Sequence, residues 1–159
     1  MVRFSPRCPA RPFEAGGNLF APLICYEVTF PEYVRQMILD GADYIVEITN
    51  DTWFGHSLGI HMHSQAFVTR AVENRCWGVR AANSGLSYIV DGYGRVRYEL
   101  PLDEVAVLSG RVNLLDGYSI FTRTGDLIGL VSLLISLGLV AILVYRWIIV
   151  RFHSARKPG

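Results

Sequence analysis

The chain has 159 residues, a formal net charge of +1 and 51% hydrophobic residues. That length suits one domain with a real core, and the near-neutral charge leaves no broad basic surface, which argues against nucleic acid as a partner. Its three cysteines, Cys8, Cys25 and Cys76, are odd in number and lack a CxxC pair, so neither a zinc ribbon nor a thioredoxin motif is present.

Residues 1–18 read as loop. Their first seventeen are basic and proline-rich, without the apolar stretch of a signal peptide, and Cys8 is incidental there. Residues 19–25 form an apolar strand that ends on Cys25. Phe30-Pro31-Glu32 then opens a helix to about Asp40, with Thr29 as a cap and Gly41 as the stop. Tyr33, Val34, Met37 and Ile38 mark its buried side. A second strand covers 43–49, followed by a polar and aromatic loop over 50–59.

Residues 61–77 read as a helix with Met62, Ala66, Thr69, Glu73 and Cys76 on one stripe, and Cys76 belongs to the core. Strands are expected over 78–82, 86–91, 95–100 and 105–112, with a hairpin turn at Asp91-Gly92-Tyr93-Gly94. This order predicts an α/β sheet domain with layered packing.

Residues 127–145 are nineteen without a charge, and Trp147-Ile148-Ile149-Val150 extends the run beyond Arg146. About twenty apolar residues cross a bilayer. The expectation is a partial α/β domain over 1–124, a transmembrane helix over 125–150 and a basic tail over 151–159. Tyr145 and Trp147 serve as interfacial anchors. Ser132, Ser136, Gly129 and Gly138 are small enough for another helix to approach. Arg146, Arg151, Arg156 and Lys157 place the C-terminus on the cytoplasmic side and the globular part on the other. Exporting that part without a signal peptide implies further spans before Met1 in a longer protein.

A cysteine at a strand tip, followed by a helix start, is a good candidate nucleophile. Free N–H groups at a helix start favour the thiolate. Cys25 is taken as the nucleophile, with the backbone N–H of Tyr26 stabilising an oxyanion and Glu27 supporting the site. Trp53 and Phe54 are candidates for contact with acyl chains, or for walls of the core. Asn50 and Asp51 are candidate substrate contacts, or pins for their own loop. His61 and His63 are two apart on a helix and do not converge on a metal. Arg70 and Glu73 form a helical pair, and Glu47 lies on a solvated strand face or in a local pair. No cofactor or metal is expected.

Several motifs carry a resemblance. They are Cys25-Tyr26-Glu27, Phe30-Pro31-Glu32, Gly41-Ala42-Asp43, Arg70-Ala71-Val72-Glu73-Asn74-Arg75, Ala82-Asn83-Ser84-Gly85 and Asp91-Gly92-Tyr93-Gly94-Arg95-Val96. Together they resemble the second half of the nitrilase, or carbon–nitrogen hydrolase, superfamily. Asn50-Asp51-Thr52-Trp53-Phe54-Gly55 and the apolar helix narrow the resemblance to the apolipoprotein N-acyltransferase family.

The resemblance implies an αββα sandwich, of which this chain carries the C-terminal half, on the periplasmic face of the bacterial inner membrane. It implies a phospholipid acyl donor, a thioester on Cys25 and an apolipoprotein diacylglyceryl-cysteine as acceptor. It also implies a glutamate base and a lysine in the N-terminal half of the same protein, whereas the only lysine here is Lys157. Two other readings stay open: an inactive fragment or binding remnant, and a membrane-tethered nitrilase-type amidase.

Overall fold

The computed structural model describes residues 11–55, 57–102 and 104–154. Cys8, Arg156 and Lys157, with the end of the basic tail, lie outside the described residues. The chain divides into two compact units, with the boundary between Gly125 and Asp126.

The first unit is built on a six-stranded mixed sheet in the order β1-β2-β3-β4-β5-β6. β1 (Phe13–Ala15) and β2 (Asn18–Ile24) form a hairpin across Gly16 and Gly17, both at positive φ. The loop expected over 1–18 therefore contains a short strand, because two glycines supply the left-handed turn that a tight hairpin needs. β2, β3 (Tyr44–Asn50) and β4 (Trp77–Asn83) run parallel. β5 (Tyr88–Val90) and β6 (Val96–Glu99) continue the sheet in antiparallel fashion. The strand expected over 105–112 does not form. Val105 and Val107 stand exposed with no ladder partner among the described residues.

The parallel pairs need crossovers, and two helices supply them. α1 (Pro31–Leu39) follows β2 and buries Val34, Met37 and Ile38, as its apolar spacing predicts. Its N-cap is Phe30 rather than Thr29, whose hydroxyl instead donates to the Tyr26 carbonyl at 2.8 Å. α2 (Leu58–Asn74) starts and ends about three residues earlier than expected, capped by Ser57 and closed by Arg75 at φ +56.

Its buried stripe is Ile60, His63, Ser64, Phe67, Arg70, Ala71 and Asn74. Met62 is 74% exposed, so the expected stripe is displaced. The reason is chemical. Polar residues occupy much of the inward face and find partners there, as when Asn74 accepts from Thr122 Oγ1 at 2.9 Å. Thr122 lies in the short helix α3 (Ile120–Thr124).

The core joins Leu23 and Ala21 of β2, Val28, the α1 residues, Ile45, Phe67, Ala71, Cys76, Tyr88 and Val90. Cys76 is fully buried, as expected. On β3 the inward residues are Ile45, Glu47 and Thr49, while Ile48 is 65% exposed. Glu47 is therefore not on a solvated face.

The Asp91 turn forms as the sequence predicts. The Asp91 carboxylate accepts from the N–H of Tyr93 at 2.9 Å and of Arg95 at 3.0 Å, and from Arg97 Nε at 2.8 Å. Asp91→Ala leaves these donors without their acceptor. It is expected to cost about 1–3 kcal/mol, read from chemical denaturation of the full chain.

The second unit is the helix α4 (Leu127–Ser154). Its segment Leu127–Ile149 is 23 residues long and apolar enough to cross a membrane. Its side chains are exposed along the whole segment, and a helix apolar all round needs a membrane or a large core around it.

Candidate active site

β2 ends at Ile24, and Cys25 opens a 3-10 helix, Cys25–Thr29. Cys25 has φ +51, a left-handed conformation in which an L side chain crowds its own backbone. Such a residue costs roughly 1–3 kcal/mol and persists only where its surroundings impose it. Here they do. Val28 is sunk fully into the core, and the Ile24 N–H donates to Glu27 Oε2 at 2.8 Å. His63 Nε2 lies 3.4 Å from the Cys25 carbonyl oxygen. Cys25 itself is half-buried. Glu27 thus clamps the junction of strand and turn.

The loop after β3 lies beside this turn. Asn50 Oδ1 accepts from the Thr52 N–H at 3.1 Å and from its hydroxyl at 2.5 Å, which folds the loop over itself. Trp53 is 87% exposed. The Phe54 ring lies 5.8 Å from the His63 ring, and the Tyr26 ring stacks on His63 at 6.3 Å. Cys25, Tyr26 and Phe54 are therefore gathered around one histidine. Trp53 points away from the core.

Asp51 is placed differently from a surface contact. It is fully buried and belongs to a polar cluster beneath the turn. Arg80 Nε donates to Glu47 Oε2 at 2.7 Å, and Arg80 Nη2 donates to Asp51 Oδ2 at 2.8 Å. Arg80 Nη1 donates to the Leu86 carbonyl at 2.6 Å. His63 Nδ1 lies 2.8 Å from Asp51 Oδ1. The Thr49 hydroxyl adds a bond to Asp51 Oδ1 at 3.2 Å.

Burial disfavours ionisation of Asp51, but the bonds from Arg80 and His63 outweigh it and hold its carboxyl below the usual range. For Glu47 the balance falls the other way. Burial dominates and raises its pKa despite Arg80 beside it. Burial likewise pulls the Arg80 guanidinium down, but the two carboxylates more than compensate.

The importance of Glu47, His63 and Arg80 was hard to read from sequence. A signal existed: Glu47 and Arg80 each interrupt an otherwise apolar strand, and the parallel register sets them side by side. Arg70 and Glu73 pair as expected, at 3.2 Å. His61 is exposed while His63 is buried. Among the described residues, no three His, Cys, Asp or Glu side chains are grouped to hold a metal.

Cys25 thus sits half-buried on a strained strand-to-helix turn at the end of a strand of a mixed sheet. The carbon-nitrogen hydrolase family model matches residues 5–120, so the chain belongs to that family. Curated relatives narrow the comparison. The chain is 42% identical over 123 residues to the apolipoprotein N-acyltransferase of Geobacter metallireducens, covering 77% of this chain and 24% of that protein. It is 37% identical over 149 residues to the apolipoprotein N-acyltransferase of Azotobacter vinelandii, covering 92% of this chain and 27% of that protein. The chain thus spans about a quarter of the length of these relatives. A solved carbon-nitrogen hydrolase from Helicobacter pylori G27 superposes with a TM-score of 0.56 at 13% identity, covering 60% of this chain and 41% of that one. At that identity the likeness shows the fold alone.

Proposed function

We propose that this chain is the nucleophile-bearing portion of an apolipoprotein N-acyltransferase. The observation that carries this reading is Cys25, held at φ +51 on the turn that ends β2, in a chain that also bears an apolar helix of membrane-spanning length.

The chemistry follows from that placement. The Cys25 thiolate attacks a phospholipid ester carbonyl, forming a C–S bond. The tetrahedral intermediate collapses, its C–O bond breaks, and the lysophospholipid alkoxide leaves with a proton. The α-amine of a diacylglyceryl-cysteine then attacks the thioester. The C–S bond breaks, the amine loses a proton and the thiolate returns. A thioester suits this relay because it retains acyl-transfer potential.

The backbone N–H of Tyr26 faces the developing oxyanion, and Glu27 keeps the turn in shape. Asn50, Trp53 and Phe54 shape the acyl side, while Asp51 supports the site from beneath. The glutamate base and lysine come from the N-terminal half of the protein, since the chain's one lysine, Lys157, lies beyond the apolar helix. Residues 1–124 act as the partial hydrolase domain, 125–150 as the membrane helix and 151–159 as a cytoplasmic tail. The globular part faces the periplasm.

The test joins this chain to the preceding segment of the Geobacter metallireducens relative, in vesicles containing acyl-labelled phosphatidylethanolamine. The fusion is expected to carry hydroxylamine-labile label on Cys25 and to pass it to a diacylglyceryl peptide, while the isolated chain stays at background. A folded, membrane-inserted fusion that never takes label, beside a parent protein that does, refutes the reading. Turnover by the isolated chain refutes the external supply of base and lysine. For topology, a tag at Gly159 is expected to resist protease added to the outer face of intact cells.

A further inference from the structure

The cluster beneath Cys25 holds an imbalance that its hydrogen bonds expose. Glu47, Asp51 and Arg80 are essentially inaccessible, and His63 is 5% exposed. With both carboxylates ionised and the imidazole neutral, the cluster carries one net negative charge in the interior. Such a charge is strongly disfavoured there.

The geometry shows where a compensating proton goes. Asp51 is bonded to Arg80 and accepts, so His63 Nδ1 carries a hydrogen toward it. Arg80 Nη2 lies 3.2 Å from Nδ1 and donates to Asp51 Oδ2. Nε2 then faces two oxygens: the Cys25 carbonyl at 3.4 Å and Glu47 Oε1 at 3.6 Å. Glu47 Oε1 is buried and has no hydrogen-bond partner among the described residues. A bare lone pair on Nε2 is repelled by both oxygens. One proton in that gap satisfies all three atoms and neutralises the cluster.

We propose that His63 and Glu47 jointly hold one proton beneath the Cys25 turn, and that His63 thereby positions the nucleophile through the Cys25 backbone carbonyl. His63 and Glu47 are positioning residues, since His63 meets the turn at the Cys25 carbonyl and Glu47 acts through His63. The proposal rests on Cys25 being the nucleophile. The groups facing the imidazole are Glu47 from β3, Asp51 from the following loop, Arg80 from β4, and the Tyr26 and Phe54 rings. Tyr88, whose ring lies 6.0 Å from the Arg80 guanidinium, has its hydroxyl pushed up to about 12 by burial and stays protonated. When the shared proton leaves, the Cys25 carbonyl loses its tie to α2 and a negative charge appears under the thiol. Both changes disfavour the thiolate.

The test is thiol chemistry and needs no acyl donor. The full chain in detergent is alkylated with iodoacetamide from about pH 5.5 to 9.5, and the Cys25 peptide is followed by mass spectrometry. The wild-type profile is expected to show two inflections, one from the thiol and one of about threefold or more from the cluster. Glu47→Gln, alike in shape but unable to titrate, is expected to show only the thiol's. His63→Gln keeps an amide donor near the Nε2 position and is expected within about twofold of wild type at pH 7. His63→Asn keeps one only near Nδ1 and is expected to be slower by about fivefold or more.

A single inflection in wild type overturns the proposal, and that profile decides alone if the variants do not fold. A second inflection that survives in Glu47→Gln overturns it too, as do equal rates for the two folded His63 variants. Two wild-type inflections in this chain, beside a folded fusion that never forms an acyl-thioester, refute the acyltransferase reading and leave this one standing.

Discussion

Cys25→Ser is expected to abolish acyl-thioester formation in the fused protein, with a loss of at least about a thousandfold in acyl transfer. A serine hydroxyl on the same turn stays protonated near neutral pH and supplies far less nucleophile than a thiol. Any residual acyl group on serine is an oxyester, which resists hydroxylamine under conditions that cleave a thioester. Cys76→Ala supplies the control. Cys76 is fully buried at the end of α2, and burial pushes its thiol up to about 12, so it is inert toward an acyl donor. Label retention in Cys25→Ser and label loss in a folded Cys76→Ala would together move the nucleophile to the wrong cysteine. Labelled phospholipid and peptide mapping by mass spectrometry distinguish these outcomes.

Arg80→Met is the largest expected effect on stability. Arg80 is 1% exposed and is bonded to both Glu47 and Asp51, so its removal leaves two buried carboxylates without their shared cation. Breaking a buried ion pair from one side costs about 3–5 kcal/mol, which lowers the melting temperature by more than about 10 °C in a unit of this size.

The pH dependence gives the sign. In the wild type, Asp51 titrates below its ordinary range, so its contribution is present above the unfolded pKa and lost as pH falls through the folded one. Glu47 is raised, so its contribution is present at low pH and lost as pH rises. Without Arg80 both carboxyls are raised. The deficit of Arg80→Met is therefore smaller at pH 5 than at pH 8. The charge-free combination of Arg80→Met, Glu47→Gln and Asp51→Asn is expected to recover part of the loss, because no buried charge is left unpaired. A melting temperature for Arg80→Met within a degree or two of wild type, at both pH values, would show that the cluster does not support the fold.

Much of the framework was legible without coordinates. The run of residues 19–24 into Cys25, with Pro31 two positions after Thr29, marks a strand that stops and a helix that starts. Local chain chemistry alone sets that junction. The Asp91 hairpin is legible for the same reason, since an Asx turn uses groups within four residues of each other. The apolar run 127–145 needs no partner to declare itself, because the absence of charge over that length is a property of the sequence.

Most of what failed turned on which partner a residue meets. Residues 105–112 have strand-like composition, but a strand exists only when another edge accepts its hydrogen bonds. The buried stripe of α2 was displaced because His63, Ser64, Arg70 and Asn74 look like surface residues until their partners are known. Thr29 has the chemistry of a cap, yet its hydroxyl turns back to the Tyr26 carbonyl.

The sequence by itself determined the candidate nucleophile, the strand and helix that flank it, the family it resembles and the apolar helix, since each is written in neighbouring residues. Only the tertiary structure decided that Cys25 sits in a left-handed turn over Glu47, Asp51, His63 and Arg80. The parallel register of β3 and β4 and the packing of α2 bring those four side chains together from positions up to 33 residues apart. Charges that in the sequence show only as breaks in apolar runs become a single cluster there, because in the interior each of them needs the others as partners.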